Sequence, residues 1–187
     1  MAQYDLDSAD GIQSVRFSQR PSFVVSATTI AIGNNKSMIS ILNTSTKVVR
    51  IEKIYIVNNQ TTAITGIISN FEFRRITSHS AGTLLTPEAL DSTDTIDAGV
   101  TIRTGSTVGG EGAVLRRAVY SSDEWGVGAQ DNESLQNINQ QINPIFQSGI
   151  FSKPYTLRQN QGLHIKHTVN STVGNFDFFI EFTQDTE

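Results

Sequence analysis

The segment Asn175-Phe-Asp-Phe-Phe-Ile-Glu-Phe-Thr183 constrains the fold more than any other stretch. Phe176, Phe178, Ile180 and Phe182 fall at every second position, which gathers them on one face of a β-strand and would scatter them around a helix. A strand with so large an apolar face needs a second layer to cover it. The same alternation runs through Leu163 and Ile165, with Val169 beyond them, and Asn170-Ser-Thr-Val-Gly174 supplies turn residues between the two runs. The pair is therefore predicted to form a closing β-hairpin. Residue usage agrees. Ile, Val and Thr number 53 against 20 for Ala plus Leu, and β-branched side chains fit a pleated surface better than a helix.

Further runs of this kind are separated by turn residues. FVVSATTIAI ends at Gly33-Asn34-Asn35, and SMISILN reads as its return strand. KVVRIEKIYIV carries apolar residues on both faces, as a strand covered on both sides would. The stretch from Ala63 to Ile76 reads as a long strand, with a bulge at Gly66 and with Phe71 and Phe73 opposite Glu72 and Arg74. Gly99 to Thr104 and AVLRRAVY are shorter strands, joined by the glycine-rich GSTVGGEG as a mobile connection. Two places read as helical: a turn at Thr86-Pro87-Glu88-Ala89-Leu90, with an N-cap Thr and a Pro at the first helical position, and Asp131 to Ile142, with Leu135, Ile138 and Ile142 on one side. The expected fold is all-β, an antiparallel β-sandwich of jelly-roll-like topology with one or two short helical turns. Residues 23–187 form its single domain. Residues 1–22 form a polar N-terminal arm, with Asp5, Asp7 and Asp10 among scattered apolar residues, and this arm is expected to order only against a neighbouring subunit or capsid protein.

Composition excludes several function classes. A formal net charge of -4 and a pI near 5.3 argue against a duplex-binding protein, whose affinity would come largely from Lys and Arg neutralising phosphates, so no nucleic-acid partner is expected. Ser, Thr, Asn and Gln supply 64 of the 187 residues, giving a hydrated but weakly charged exterior. Without cysteine there are neither disulfides nor thiolate metal sites. No run of ~18 apolar residues marks a membrane span, and the N-terminus lacks a signal-peptide pattern, so the expected compartment is the cytoplasm.

The residues that could carry chemistry also have ordinary structural roles. His164 and His167 lie three apart, which puts them on opposite faces of a strand and prevents joint chelation. His79 stands in a loop. Asp91, Asp94 and Asp97 offer loop oxygens but not the spacing of a calcium loop, and they read as carboxylates bonding their own backbone. Carboxyl pairs such as Glu72 with Asp177 or Glu181 can be drawn, but the sequence selects none, and there is no Gly-x-Ser-x-Gly elbow. Trp125, beside Asp123 and Glu124, offers a ring on which a sugar could stack, although a lone Trp more often caps a core or anchors a subunit contact. No catalytic, cofactor-binding or metal-ligating residue is assigned, no cofactor is expected, and the chain is not expected to be an enzyme.

The stretches NNQTTAITGIISNFEFRRITSHSAGT, GVTIRTGSTVGGEGAVLRRAVYSSDEW and GLHIKHTVNSTVGNFDFFIEFT resemble, in style and order, small β-sandwich structural proteins of tailed-phage particles. The resemblance covers most of the chain from Ser37 onward. It implies a virion component, assembled in the host cytoplasm, that decorates or cements the capsid. Its implied partners are other copies of itself, with a trimer favoured, and the major capsid protein or other virion proteins. It carries over no functional residue, because such proteins act through surface shape. The competing expectation is a glycan- or receptor-binding module associated with a tail or head fibre.

Overall fold

The computed structural model describes residues 3–6, 13–16, 20–59, 67–122, 144–149, 153–169 and 174–185. Every helix or strand element among them is a β-strand. Two short strands, β1 (Gln3–Leu6) and β2 (Gln13–Arg16), precede the longer β3 (Ser22–Ala31), β4 (Ser37–Asn43), β5 (Val48–Asn58) and β6 (Ile67–Ile76). Brief strands β7 (Ser78–Ser80), β8 (Thr83–Leu85) and β9 (Glu88–Ala89) lead to β10 (Val100–Thr104), β11 (Thr107–Gly109) and β12 (Val114–Ser122). The C-terminal part adds β13 (Phe146–Gln147), β14 (Tyr155–Leu157), β15 (Gln161–His167) and β16 (Asn175–Asp185).

These strands form an antiparallel sandwich. One sheet has the order β12-β6-β15-β4-β10-β8, and the other β13-β5-β16-β3-β9 with β14 also paired to β5. With six strands in each sheet, several of them brief edge pieces, the eight-strand jelly roll is not reproduced element for element. The chain crosses between sheets more often than the turn residues indicate. β4 does not return along β3 but joins the opposite sheet. β15 and β16 likewise do not pair as a hairpin: β15 lies between β6 and β4, and β16 between β5 and β3. Alternation specifies which face of a strand is buried, and that requirement is met equally by a neighbour in one sheet or by a strand facing it across the core.

The inner faces close one core. Phe71 of β6 lies at its centre, with its ring edge-on to Phe176 at 4.9 Å and to Phe178 at 5.7 Å, while Phe23 stacks on Phe182 at 5.6 Å. Phe71, Phe73 and Phe178 are fully buried, and burial of each such side chain contributes about 1.5–3 kcal/mol. The two-faced pattern of β5 has a different cause from cover on both sides. Glu181 opposes Lys53 but Phe182 opposes Ile51, so Glu52 is an extra residue that reverses the alternation. Val49 and Ile51 before the bulge, and Ile54 and Ile56 after it, all reach the same core. A second bulge sets Thr28 and Thr29 against Asp177, with Thr29 at a φ of 54°. Asp177 Oδ1 accepts the Thr29 N–H at 2.6 Å, and Asn59 Nδ2 donates to both oxygens of the same carboxylate. That carboxylate holds an uncommon backbone conformation for a β-branched residue.

The helical turn expected at 86–90 is instead edge strand β9. Glu88 and Ala89 oppose Val24 and Phe23, and the Leu90 N–H donates to the Ser22 carbonyl at 2.8 Å. The free edge of β3 offers this short segment backbone partners along its length, and Pro87 suits a position at the start of an edge strand. The glycine-rich connection is also ordered: β11 pairs with β7 in a small sheet, between turns in which Gly105 and Gly110 take φ values of 61° and 64°. This small sheet lies on the outer face of the β12-to-β8 sheet, and all seven residues of β4 are buried. Within the expected arm, β1 and β2 pair from Gln3↔Arg16 to Leu6↔Gln13 in a sheet of their own. The helix expected over 131–142 and the bulge expected at Gly66 lie outside the described residues.

Candidate functional site

The residues with potential chemistry are dispersed. His164 and His167 occupy opposite faces of β15: His164 Nδ1 is 3.3 Å from Ser37 Oγ on the outer side, whereas His167 packs against Phe71 and its Nδ1 is 2.8 Å from the Gly33 carbonyl oxygen. Asp91 accepts from the Thr93 backbone and hydroxyl, Asp94 from the Ser22 N–H, and Asp97 from the Gly99 N–H, so these three carboxylates serve local turns and a strand start. Glu72 lies on the first sheet, between Arg74 at 2.6 Å and Arg117 at 2.8 Å. Burial acts to raise its pKa, but the hydrogen bonds and charges of the two arginines outweigh that and hold it below the usual carboxylate range. Asp177 and Glu181 belong to the other sheet, where Glu181 pairs with Lys53 at 2.8 Å. These carboxyl groups do not face one another. Trp125 lies outside the described residues.

His79 is not in a loop. It belongs to β7, and its ring spans Ser40 Oγ and Thr101 Oγ1, both at 2.8 Å. Ser40 continues to Ser106 at 2.8 Å, Ser106 to Ser37 at 3.3 Å, and Ser37 to His164. The result is a chain of hydroxyls with an imidazole at either end, running between the outer face of the sheet and the β7–β11 cover, with His79 half-buried and Ser37, Ser106 and His164 lining a small cleft. Desolvation by burial, reinforced by Arg103, lowers the His79 pKa to about 4. For His164, burial dominates as well; Glu111 opposes the shift while Lys166 and Arg74 add to it, and the result is again about 4. Both rings are neutral near pH 7. A Ser–His pair of this kind has no carboxylate to orient its base, and Ser40 is fully buried, so its hydroxyl faces the cover and not a cleft. The arrangement suits fixing the cover in place.

The outer rim has a different character. Among the described residues, four large apolar side chains stand exposed: Leu115 and Val119 on β12, at 44% and 63%, Leu84 on β8 at 57%, and Leu90 just past β9 at 64%. β12 and β8 are opposite ends of one sheet, and Leu90 follows the end strand of the other. Among the described residues, β12 is paired on one side only, through its register with β6. A nine-residue edge strand bearing outward apolar groups is a ready template for contact with another chain.

No helix among the described residues is long and apolar enough to cross a membrane. What fold and surface define is an antiparallel β-sandwich with apolar side chains along two separate edges. No protein-family model, curated protein or solved structure matches the chain.

Proposed function

We propose that this chain is a non-catalytic structural subunit of a bacteriophage particle, attached to the capsid surface and to copies of itself. The observation that carries the reading is the placement of exposed apolar groups on edges that differ: Leu115 and Val119 at one end of a sheet, Leu84 at the other. Contact between two different patches is head-to-tail, and such contacts close into rings when the rotation between neighbours permits. A threefold ring is the form the phage resemblance favours. Its other partners are the major capsid protein or other virion proteins, and its compartment is the virion. The Ser–His chain fits a rigid building block, since its hydrogen bonds tie the β7–β11 cover to the sheet beneath it.

Light scattering on the purified chain tests the association. The expected mass is that of a trimer, and Leu84→Asp combined with Val119→Asp should return it to a monomer with an unchanged circular dichroism spectrum. A wild-type chain that stays monomeric at high concentration would remove self-association from the proposal.

A further inference from the structure

Where β14 lies against β5, at one end of the sandwich, a cleft of about 840 Å³ opens between the sheets. Four cationic side chains line it, Arg50, Arg75, Lys153 and Arg158, and no Asp or Glu does so among the described residues. The chain has only 14 Lys and Arg and a net charge of -4, so this concentration is not a sample of a generally basic surface. The inner pair is constrained. Arg75 Nη1 donates to the Thr156 carbonyl at 2.7 Å, which fixes the guanidinium in the cleft wall. Arg50 Nη1 is buried without a hydrogen-bond acceptor, and the nearest carboxylate oxygen, on Asp185, is 3.8 Å away and shared with Arg20. Arg50 nevertheless lines the cleft, with 19% of its side chain exposed. Lys153 and Arg158 are exposed at the mouth.

We propose that this cleft binds an acidic saccharide, with a sugar carboxylate held by Arg50 and Arg75 and further acidic groups met by Lys153 and Arg158. The planar fork of a guanidinium matches a carboxylate in two parallel hydrogen bonds. The rest of the lining suits a sugar better than a peptide. Thr77 and Gln161 offer a hydroxyl and an amide to ring hydroxyls, and half-buried Pro154 gives a small apolar flank for the face of a pyranose. An extended peptide would add to the edge of β14, but that strand is three residues long and its Thr156 carbonyl is already taken by Arg75. The inference does not rest on the particle assignment, because a subunit that is monomeric in solution carries the same cleft.

Calorimetric titration with tetragalacturonate at physiological salt is the test, with maltotetraose, hexaglutamate and sodium sulfate titrated separately. The expected result is saturable binding of tetragalacturonate, none of maltotetraose, and weaker binding of the other two. Lys153→Glu with Arg158→Glu, both exposed and so compatible with folding, should weaken it by at least ~10-fold, a loss of about 1.4 kcal/mol, while circular dichroism and self-association stay unchanged. Absence of tetragalacturonate binding, or binding the double variant retains in full, would overturn the proposal. Hexaglutamate binding as tight as the saccharide would reassign the cleft to acidic peptides, and sulfate binding alone would reduce it to an inorganic anion site.

Discussion

Phe178→Ala is expected to lower the stability of the folded chain by about 3–5 kcal/mol, the range for removing a fully buried aromatic ring. The side chain is completely buried, lies edge-on to Phe71, and belongs to a central strand bonded to β3 on one side and β5 on the other. The facing sheet is tied together by its own hydrogen bonds and cannot collapse into the space, so both the transfer term and the cavity term apply. The next residue supplies the control: Phe179 is half-buried on the opposite face of β16, and Phe179→Ala should cost about 1 kcal/mol. Urea denaturation, with the slope checked for constancy, measures both. Equal losses for the two variants would mean that the register of β16 is wrong.

The second large effect is acid destabilisation. His79 and His164 have folded-state pKa values lowered to about 4 from 6.5. In the unfolded chain both take up protons as the pH falls through 6.5, while in the folded chain they remain neutral until about 4, so the unfolded state binds more protons across that window. Their contribution is therefore complete above 6.5 and is lost progressively as the pH falls to 4. For His164, which is buried, the loss approaches about 3 kcal/mol; His79 is partly exposed and contributes less after solvent screening. Glu72 and Asp91, whose pKa values are lowered, add their own loss only below the normal carboxylate range, so the interval from 6.5 to 4.5 isolates the histidines. Urea midpoints should fall steadily across it, and the fall should shrink in His164→Gln. A flat profile would mean that the rings are solvated and that the β7–β11 cover does not shield them.

The sequence made the fold class legible because β-branched usage and period-two alternation are direct consequences of a pleated, one-sided surface. Pairing was far less legible. Leu163 and Ile165 alternate as clearly as Phe176 and Phe178, yet nothing in alternation distinguishes a neighbour in the same sheet from a strand across the core, and the expected hairpin proved to be two central strands in facing sheets. The β5 bulge hid for a similar reason, since an extra Glu52 in the middle of a strand reads as two apolar faces. Thr86-Pro87-Glu88 carries a helix-start pattern that the open edge of β3 overrode by offering hydrogen bonds. The exposed rim was half visible: Leu115 and Val119 share a face of AVLRRAVY, but Ala118 on the other face is what the core takes. Arg50, Arg75, Lys153 and Arg158 come from separated segments and meet only because β14 folds back onto β5, so no local pattern announces the cleft.

Peptide mass spectrometry of density-banded particles, produced from the genome that encodes this chain, tests the central claim most directly. The account predicts the chain in the particle band, in fixed stoichiometry to the major capsid protein and retained through repeated banding. A chain abundant in the soluble lysate but absent from the banded particles would contradict it.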